Sequence, residues 1–462
     1  MTQHAKGTGR REFLGRMLLA GGAAALGAGG LGTLARLARA GDRPATDERF
    51  YVFAYFSGGW DVLLGLDPRD PAVFDADNVS ATRIQPAYEL QRAPGLALVR
   101  PSESAVPEMV FGPYIGELAA HWERLAVIRG MSMDTLTHEV GRRRFLTGRP
   151  PSGLLARGAS GSAWLAAQFP EGALVPNLSV GVESFNPDLP VEVSAVRVSN
   201  AADLVALLRR ADPTLDPALD PLVSMRLAEE AACARSYGSP TLRAAESSRL
   251  RLRAVLEADV QALFNFGAAT PEMEALRARY GFTTDFGSPE AQAALAAQAI
   301  SSGVSRVVTL QASSRLDTHF EDWQTDHGAR QRRGFDAVAK LATHLAELPY
   351  KDTGESLLDR TTIVGFSEFM RTPLLNARGG RDHWLTNSCF ALGGRVRGNS
   401  VIGASSDVGM SPQAVDLATG RVSEGGEVIR PEHILRTLLV DAGLTDDGAD
   451  LRVPPIPALL RA

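Results

Sequence analysis

Cysteine is nearly absent from these 462 residues: Cys233 and Cys389 are the only two, far apart in the chain. That excludes both a CxxC metal site and a disulfide framework. A basic excess is missing too. Lys and Arg number 48 against 53 Asp and Glu, a net charge of −5, so no nucleic-acid partner is expected. Three catalytic signatures also fail. HEVGR at 138–142 lacks the second histidine of HExxH, while GASGS at 158–162 and GFSEF at 365–369 lack the closing glycine of GxSxG. What is there is ordinary folded-protein chemistry, 45% hydrophobic and 22% charged, long enough for one large α/β domain or two smaller ones.

The first forty residues read as an address. Arg10-Arg11 and Phe13-Leu14 precede an uncharged Ala/Gly/Leu stretch from Met17 to Ala35, and Ala38-Arg39-Ala40 has the small-x-small form of a cleavage site. This resembles a twin-arginine export signal, and it makes the export machinery an expected partner and the periplasm or exterior the expected location. A membrane is expected as a partner only if the leader stays uncleaved. GAGGLG at 27–32 matches GxGxxG, but no strand precedes it, so it is no dinucleotide site. The leader holds six basic residues and one acidic, so its removal takes the net charge from −5 to −10.

Residues 41–462 read as one α/β domain. Arg49–Phe56, Leu125–Ile128, Ser305–Gln311, Thr361–Phe366 and Phe390–Leu392 have the continuous apolar character of buried strands. Helical periodicity separates them, as in Gly334–Leu348, and strands alternating with helices predict a mainly parallel sheet covered on both faces. From about 200 to 300, Ala201–Arg210, Val223–Arg235, Thr241–Phe266 and Pro271–Tyr280 are Ala/Leu/Arg/Glu-rich at helix spacing and predict a helical insertion.

Ligands collect beyond the C-terminal ends of parallel strands. The segments that follow the predicted strands hold Asp61, then His138 and Arg142, then Asp317, His319 and His327, then Glu368, Arg371, Arg381, Asp382 and His383. Taken singly, any one of these histidines is better read as a loop residue bonded to backbone. Together with the carboxylates they form a mixed imidazole–carboxylate set that suits Zn²⁺ or Mn²⁺. Such a cation polarises an ester oxygen, and the arginines offer charge for a phosphoryl or sulfuryl group.

The leader, SGGWD, H-x7-LTGRPP, LDTH, TTIVGFSEFMRTP, GGRDHW and FALGGRVRGNSVIGAS together resemble the DUF1501 family of exported bacterial proteins, from about 50 to 445 and most densely at 361–404. That family is similar to the alkaline phosphatase–sulfatase superfamily. The resemblance implies a three-layer sandwich with a mainly parallel central sheet and metal at the strand ends. It implies Asp61 as an acidic ligand, Asp317 with His319 as an Asp/His pair, Glu368 in an Asp place, and His383 as the last histidine. Aligned on LTGR, the sulfatase nucleophile falls on His138 and its arginine on Arg142. A histidine cannot become formylglycine, so the fold carries over better than the chemistry.

Two functions from different classes are expected. One is an exported metal-dependent hydrolase of small phosphate or sulfate esters. In it Asp61, Asp317, His319, His327, Glu368, Asp382 and His383 hold a divalent metal, and Arg142, Arg371 or Arg381 binds the anion beside His138. The other is a non-catalytic relative that binds or assembles components of the cell envelope.

Overall fold

The computed structural model describes residues 48–92, 97–169, 173–208, 219–236, 246, 249 and 260–461. The expected leader lies outside them, as do residues 209–218 and most of 237–259 within the expected insertion. Eight strands build the central sheet: β1 Phe50–Phe56, β2 Leu125–Ser132, β3 Asn177–Val180, β4 Val196–Val198, β5 Val307–Ser313, β6 Thr361–Phe366, β7 Thr386–Gly393 and β8 Ser400–Ile402. Their order across the sheet is β8-β2-β7-β6-β1-β5-β3-β4. Every neighbouring pair is parallel except the two made by β7, which runs against β2 and β6. The fold is therefore mixed α/β around a large, mostly parallel sheet.

Alternation along β1 explains the layering. Phe50, Val52, Ala54 and Phe56 enter one core cluster, whereas Tyr51, Phe53 and Tyr55 enter the other. A strand buried on both faces has no reason to alternate polar and apolar residues, which is why it reads as a continuous apolar run. Each large side chain buried this way contributes about 1.5–3 kcal/mol.

Helices cover both faces. Among the described residues the α-helices longer than a turn or two are α1 His138–Thr147, α2 Gly161–Gln168, α3 Ala201–Leu208, α4 Asp220–Ser236, α5 Pro271–Tyr280, α6 Pro289–Ser301, α7 Gly328–Glu347 and α8 Pro431–Asp441. Phe145, Trp164 and Leu435 bring α1, α2 and α8 against the Tyr51 face. Leu295 and Phe335 bring α6 and α7 against the Val52 face. Prolines at the first turns of α5 and α6 follow Thr270 and Ser288, whose side chains accept from Met273 N and Ala291 N, so the starts are fixed by ordinary capping. Where the 200–300 stretch is described, helices alternate with loops at 265–270 and 281–288, and its last helix, α6, packs into the core on the Val52 face. Among the described residues no helix is long and apolar enough to cross a membrane.

Candidate metal centre

One rim of the sheet collects the chemistry. β1 ends at Ser57-Gly58-Gly59, β5 leads to Asp317, β6 leads to Glu368, and the loop after β2 opens α1 at His138. β7 runs the other way, so its beginning reaches the same rim, and His383 stands three residues ahead of it. Two glycines permit the closeness. Gly58 has φ +113°, and a Cβ there would lie 2.6 Å from the Leu316 and Asp317 amide nitrogens. On α1, a Cβ at Gly141 would meet the Glu368 carbonyl oxygen at 2.3 Å, so only glycine lets the helix press His138 onto that carboxylate.

The three imidazoles are held alike. His319 Nδ1 lies 2.7 Å from Asp382 Oδ1, His138 Nδ1 lies 2.7 Å from Glu368 Oε1, and His383 Nδ1 lies 2.7 Å from the Leu136 carbonyl oxygen. Each partner is an acceptor, so each Nδ1 carries the proton and donates it. Each Nε2 then presents a lone pair in the neutral ring. Those lone pairs converge. Asp317 Oδ1 lies 3.3 Å from His138 Nε2, 3.0 Å from His319 Nε2 and 3.2 Å from His383 Nε2. The Nε2 atoms of His319 and His383 are 3.1 Å apart.

Hydrogen bonding within the protein meets this cluster only in part: His319 Nε2 lies 3.4 Å from Arg371 Nη1 and His383 Nε2 lies 3.2 Å from Asp317 Oδ1. Arg371 Nη2 already donates to Asp317 Oδ1 at 2.5 Å, and a carboxylate oxygen has two lone pairs to offer four neighbours. His138 Nε2 is buried without a hydrogen-bond partner. The group His138, Asp317 and His383 is one that could hold a cation. Tetrahedral ligands at 2.0–2.1 Å from Zn²⁺ stand about 3.3 Å from one another. The ligand atoms of His138, Asp317 and His383 all lie within 4.8 Å of one another, and His319 closes on the latter two. Donated Nδ1–H groups are the usual outer support of metal-binding histidines.

The charges are set by burial and pairing. Burial works against an ionised Asp317, but the hydrogen bond and charge of Arg371, with His383 and His138, hold its carboxyl well below the usual range. Burial also opposes ionised Glu368, but the hydrogen bonds from His138, the backbone and Ser367, with the His138 charge, together outweigh it and lower its pKa. In His138 the desolvation that favours the neutral ring is overcome by Glu368, and its pKa is raised. His383 is lowered by burial and by the Arg371 charge.

The other expected residues take different places. Glu368 and Asp382 orient histidines rather than face the convergence point, and Glu368 Oε1 also accepts from Gly58 N at 2.9 Å. Asp61 is fully buried below the rim. Its Oδ2 meets Trp323 Nε1 at 2.8 Å and Arg381 Nε at 3.1 Å, and its Oδ1 accepts from Leu63 N at 2.9 Å. Both oxygens are engaged, so a ligand role for Asp61 does not fit. Nor does one for His327, which sits on a π-helical turn at Trp323–His327. It contacts Thr318 Oγ1 at 2.7 Å and accepts from Asp61 N at 3.1 Å, and burial pushes its pKa down to about 3.

The arginines differ as well. Arg371 and Arg381 are fully buried. Arg371 donates to the carbonyls of Gly58, Gly59 and Arg381 besides Asp317. Arg381 donates to the carbonyls of Thr372, Gln85 and Pro86 and lies 4.5 Å from the Trp323 ring centroid. Their charges compensate half-exposed Asp317 and buried Asp61, and neither guanidinium opens to an incoming anion. Arg142 is partly exposed on α1, one turn after His138, with its Nε on Glu183 at 2.9 Å.

Two participants escaped sequence reasoning. The Leu136 acceptor is a backbone atom and leaves no signature in residue type. Asn376 holds both Asp382 Oδ1, at 3.2 Å, and the His319 carbonyl, at 3.0 Å. Its position four residues ahead of GGRDHW's Gly380 was the available signal, an amide in the turn that carries the ligands.

The family model of DUF1501, described as a protein of unknown function, matches residues 51–419. No curated protein matches the chain.

Proposed function

Since the chain belongs to the DUF1501 family, whose description names no activity, we propose its function from the chemistry of its site: a metal-dependent hydrolase of phosphate or sulfate esters. The observation that carries this reading is the convergence of three imidazole lone pairs on Asp317 Oδ1, with every Nδ1–H already committed elsewhere. His138, His319, His383 and Asp317 are the residues that would hold the cation, and an N₃O set favours Zn²⁺ ahead of Mn²⁺. When bound, a divalent ion supplies Lewis-acid polarisation of a phosphoryl or sulfuryl oxygen.

The remaining roles follow from position. Glu368 and Asp382 fix the imidazole rings, and Arg371 keeps Asp317 ionised from beneath. Arg142, on the same helix face as His138 and partly exposed beside Glu183, is the guanidinium assigned to the substrate anion. His138 is assigned to the cation rather than to attack, because its Nε2 is already directed at the shared carboxylate oxygen. The sandwich with this rim supports an alkaline-phosphatase-like fold. The Arg10-Arg11 leader supports twin-arginine export to the periplasm or beyond.

The test is metal analysis of purified protein joined to activity on aryl phosphate, phosphodiester and sulfate esters. About one equivalent of zinc is expected, with both metal and turnover lost in His319→Ala and His383→Ala. Less than about one-tenth equivalent after reconstitution refutes the reading. Asp317 is 48% exposed, and this openness favours one second reading, a metal-bound envelope-binding protein. Stable zinc loading without turnover on any of the three ester classes would select it.

A further inference from the structure

Phe369, the residue after Glu368, packs its ring against two members of the imidazole cluster. Its centroid lies 4.4 Å from that of His383 and 4.8 Å from that of His138, and the two imidazoles are themselves 4.5 Å apart at 79°. These separations stand at the close end of the range in which aromatic rings attract one another. The phenyl is fully buried, whereas the His138 and His383 side chains keep 25% and 21% of their surface. Solvent therefore reaches the imidazoles and stops at the phenyl, which is an apolar wall of the centre. Another edge of the ring fills the space that a side chain at Gly59 would take: a Cβ there would lie 2.5 Å from Phe369 Cε2 and 2.8 Å from Cδ2. The ring is thus packed on one side by backbone and on another by the two histidines.

A hydrogen bond at Nδ1 fixes one end of each imidazole, His138 on Glu368 and His383 on the Leu136 carbonyl. It leaves a soft rocking of the ring, because χ2 of histidine is broadly distributed, and that rocking carries Nε2 sideways. A flat face packed against the ring removes it. Resting on the reading of the cluster as a cation site, we infer that Phe369 is a positioning residue of that site: its ring holds His138 and His383 so that both Nε2 lone pairs meet at Asp317 Oδ1. The distances of 3.3 and 3.2 Å from that oxygen are the outcome of the restraint. It passes on to the third ligand as well. The His319 ring lies 4.8 Å from His383, so a histidine fixed by the phenyl is the surface on which His319 leans.

Phe369→Leu keeps an apolar side chain and removes the flat face. Zinc affinity of the full chain, measured by competition against a chelator, is expected to fall about tenfold or more. The visible absorption of the cobalt-substituted protein, which reports ligand geometry, is expected to change in band position or intensity. Phe264→Leu is the control, since it removes an equally buried phenyl from the Val52 face of the core. It should lose resistance to denaturant to a similar extent, while zinc affinity stays within about twofold of the parent and the cobalt spectrum is unchanged. If Phe369→Leu does not fold, Phe369→Met, adaptable in packing, carries the same two measurements. Unchanged zinc affinity and cobalt spectrum in the folded Phe369 variant overturn the positioning role and leave the cation site standing, as does an equal loss of affinity in Phe264→Leu. A parent protein that takes up less than about one-tenth equivalent of zinc overturns both.

Discussion

Glu368 offers the sharpest test of how the site is held. Its carboxylate is fully buried and accepts from Gly58 N at 2.9 Å and His138 Nδ1 at 2.7 Å, with Ser367 Oγ 2.9 Å away. Glu368→Ala strands the amide and the imidazole without acceptors. Hydrogen bonds to a charged group are worth about 1.5–3 kcal/mol each, so a loss of about 3–5 kcal/mol of folding stability is expected. Glu368→Gln keeps one acceptor oxygen, which has two lone pairs for Gly58 and His138. Its new amide can donate to Ser367 Oγ, which itself donates to the Phe56 carbonyl at 2.6 Å. Stability should fall by only about 1–2 kcal/mol, whereas zinc affinity should drop about tenfold or more, since a neutral amide orients and polarises His138 less. Denaturant titration gives the first quantity and competition against a chelator gives the second. A Gln variant that binds zinc as tightly as the parent would refute the assignment of Glu368 as the residue that aims His138.

Asp382→Asn should weaken zinc binding about 10–100-fold through His319, with stability almost unchanged because Asp382 is half-exposed; equal zinc affinities would place His319 outside the centre. Arg381→Ala should cost about 3–5 kcal/mol by leaving Asp61 buried and unpaired, and a loss under about 1 kcal/mol in thermal or chemical unfolding would show that Arg381 does not carry this compensation. At the opposite end of the sheet, Glu48 accepts from Arg306, Tyr350 and Lys351 at 2.5–2.6 Å. Burial raises its pKa, but these partners prevail and lower it from 4.5 to about 2. A depressed carboxyl contributes stability that is complete above its unfolded value and lost as pH falls toward the native one. Acid unfolding between pH 4.5 and 2 should therefore be steeper in the parent than in Glu48→Gln, and superimposable pH profiles would contradict the pairing.

The sheet was legible because its central strands are buried on both faces and so read as unbroken apolar runs. β1, β2, β5 and β6 were found this way. β3, β4 and β8 were not, being three or four residues long and too short to show any period. His319 and His383 were legible from strand-end position alone. Asp61, Arg371 and Arg381 were not distinguishable from ligands and anion binders, because a buried ion pair uses the same residue types as an active site. Only depth separates them: Asp61 and Arg381 compensate each other a layer below the rim. His138 was expected in the segment that follows β2 and opens a helix there, with Thr137, a capping residue type whose side chain makes no cap hydrogen bond, ahead of it.

The reversed direction of β7 has a further effect. Because that strand begins where its neighbours end, His383 enters the centre from the base of a core strand, while Asp317 comes from a stretch 66 residues earlier and His138 from another 245 residues before His383. A cation gripping all three would stitch shut loops that the chain must otherwise close by strand pairing alone, and so would act as a late clasp on the order in which the sheet is assembled.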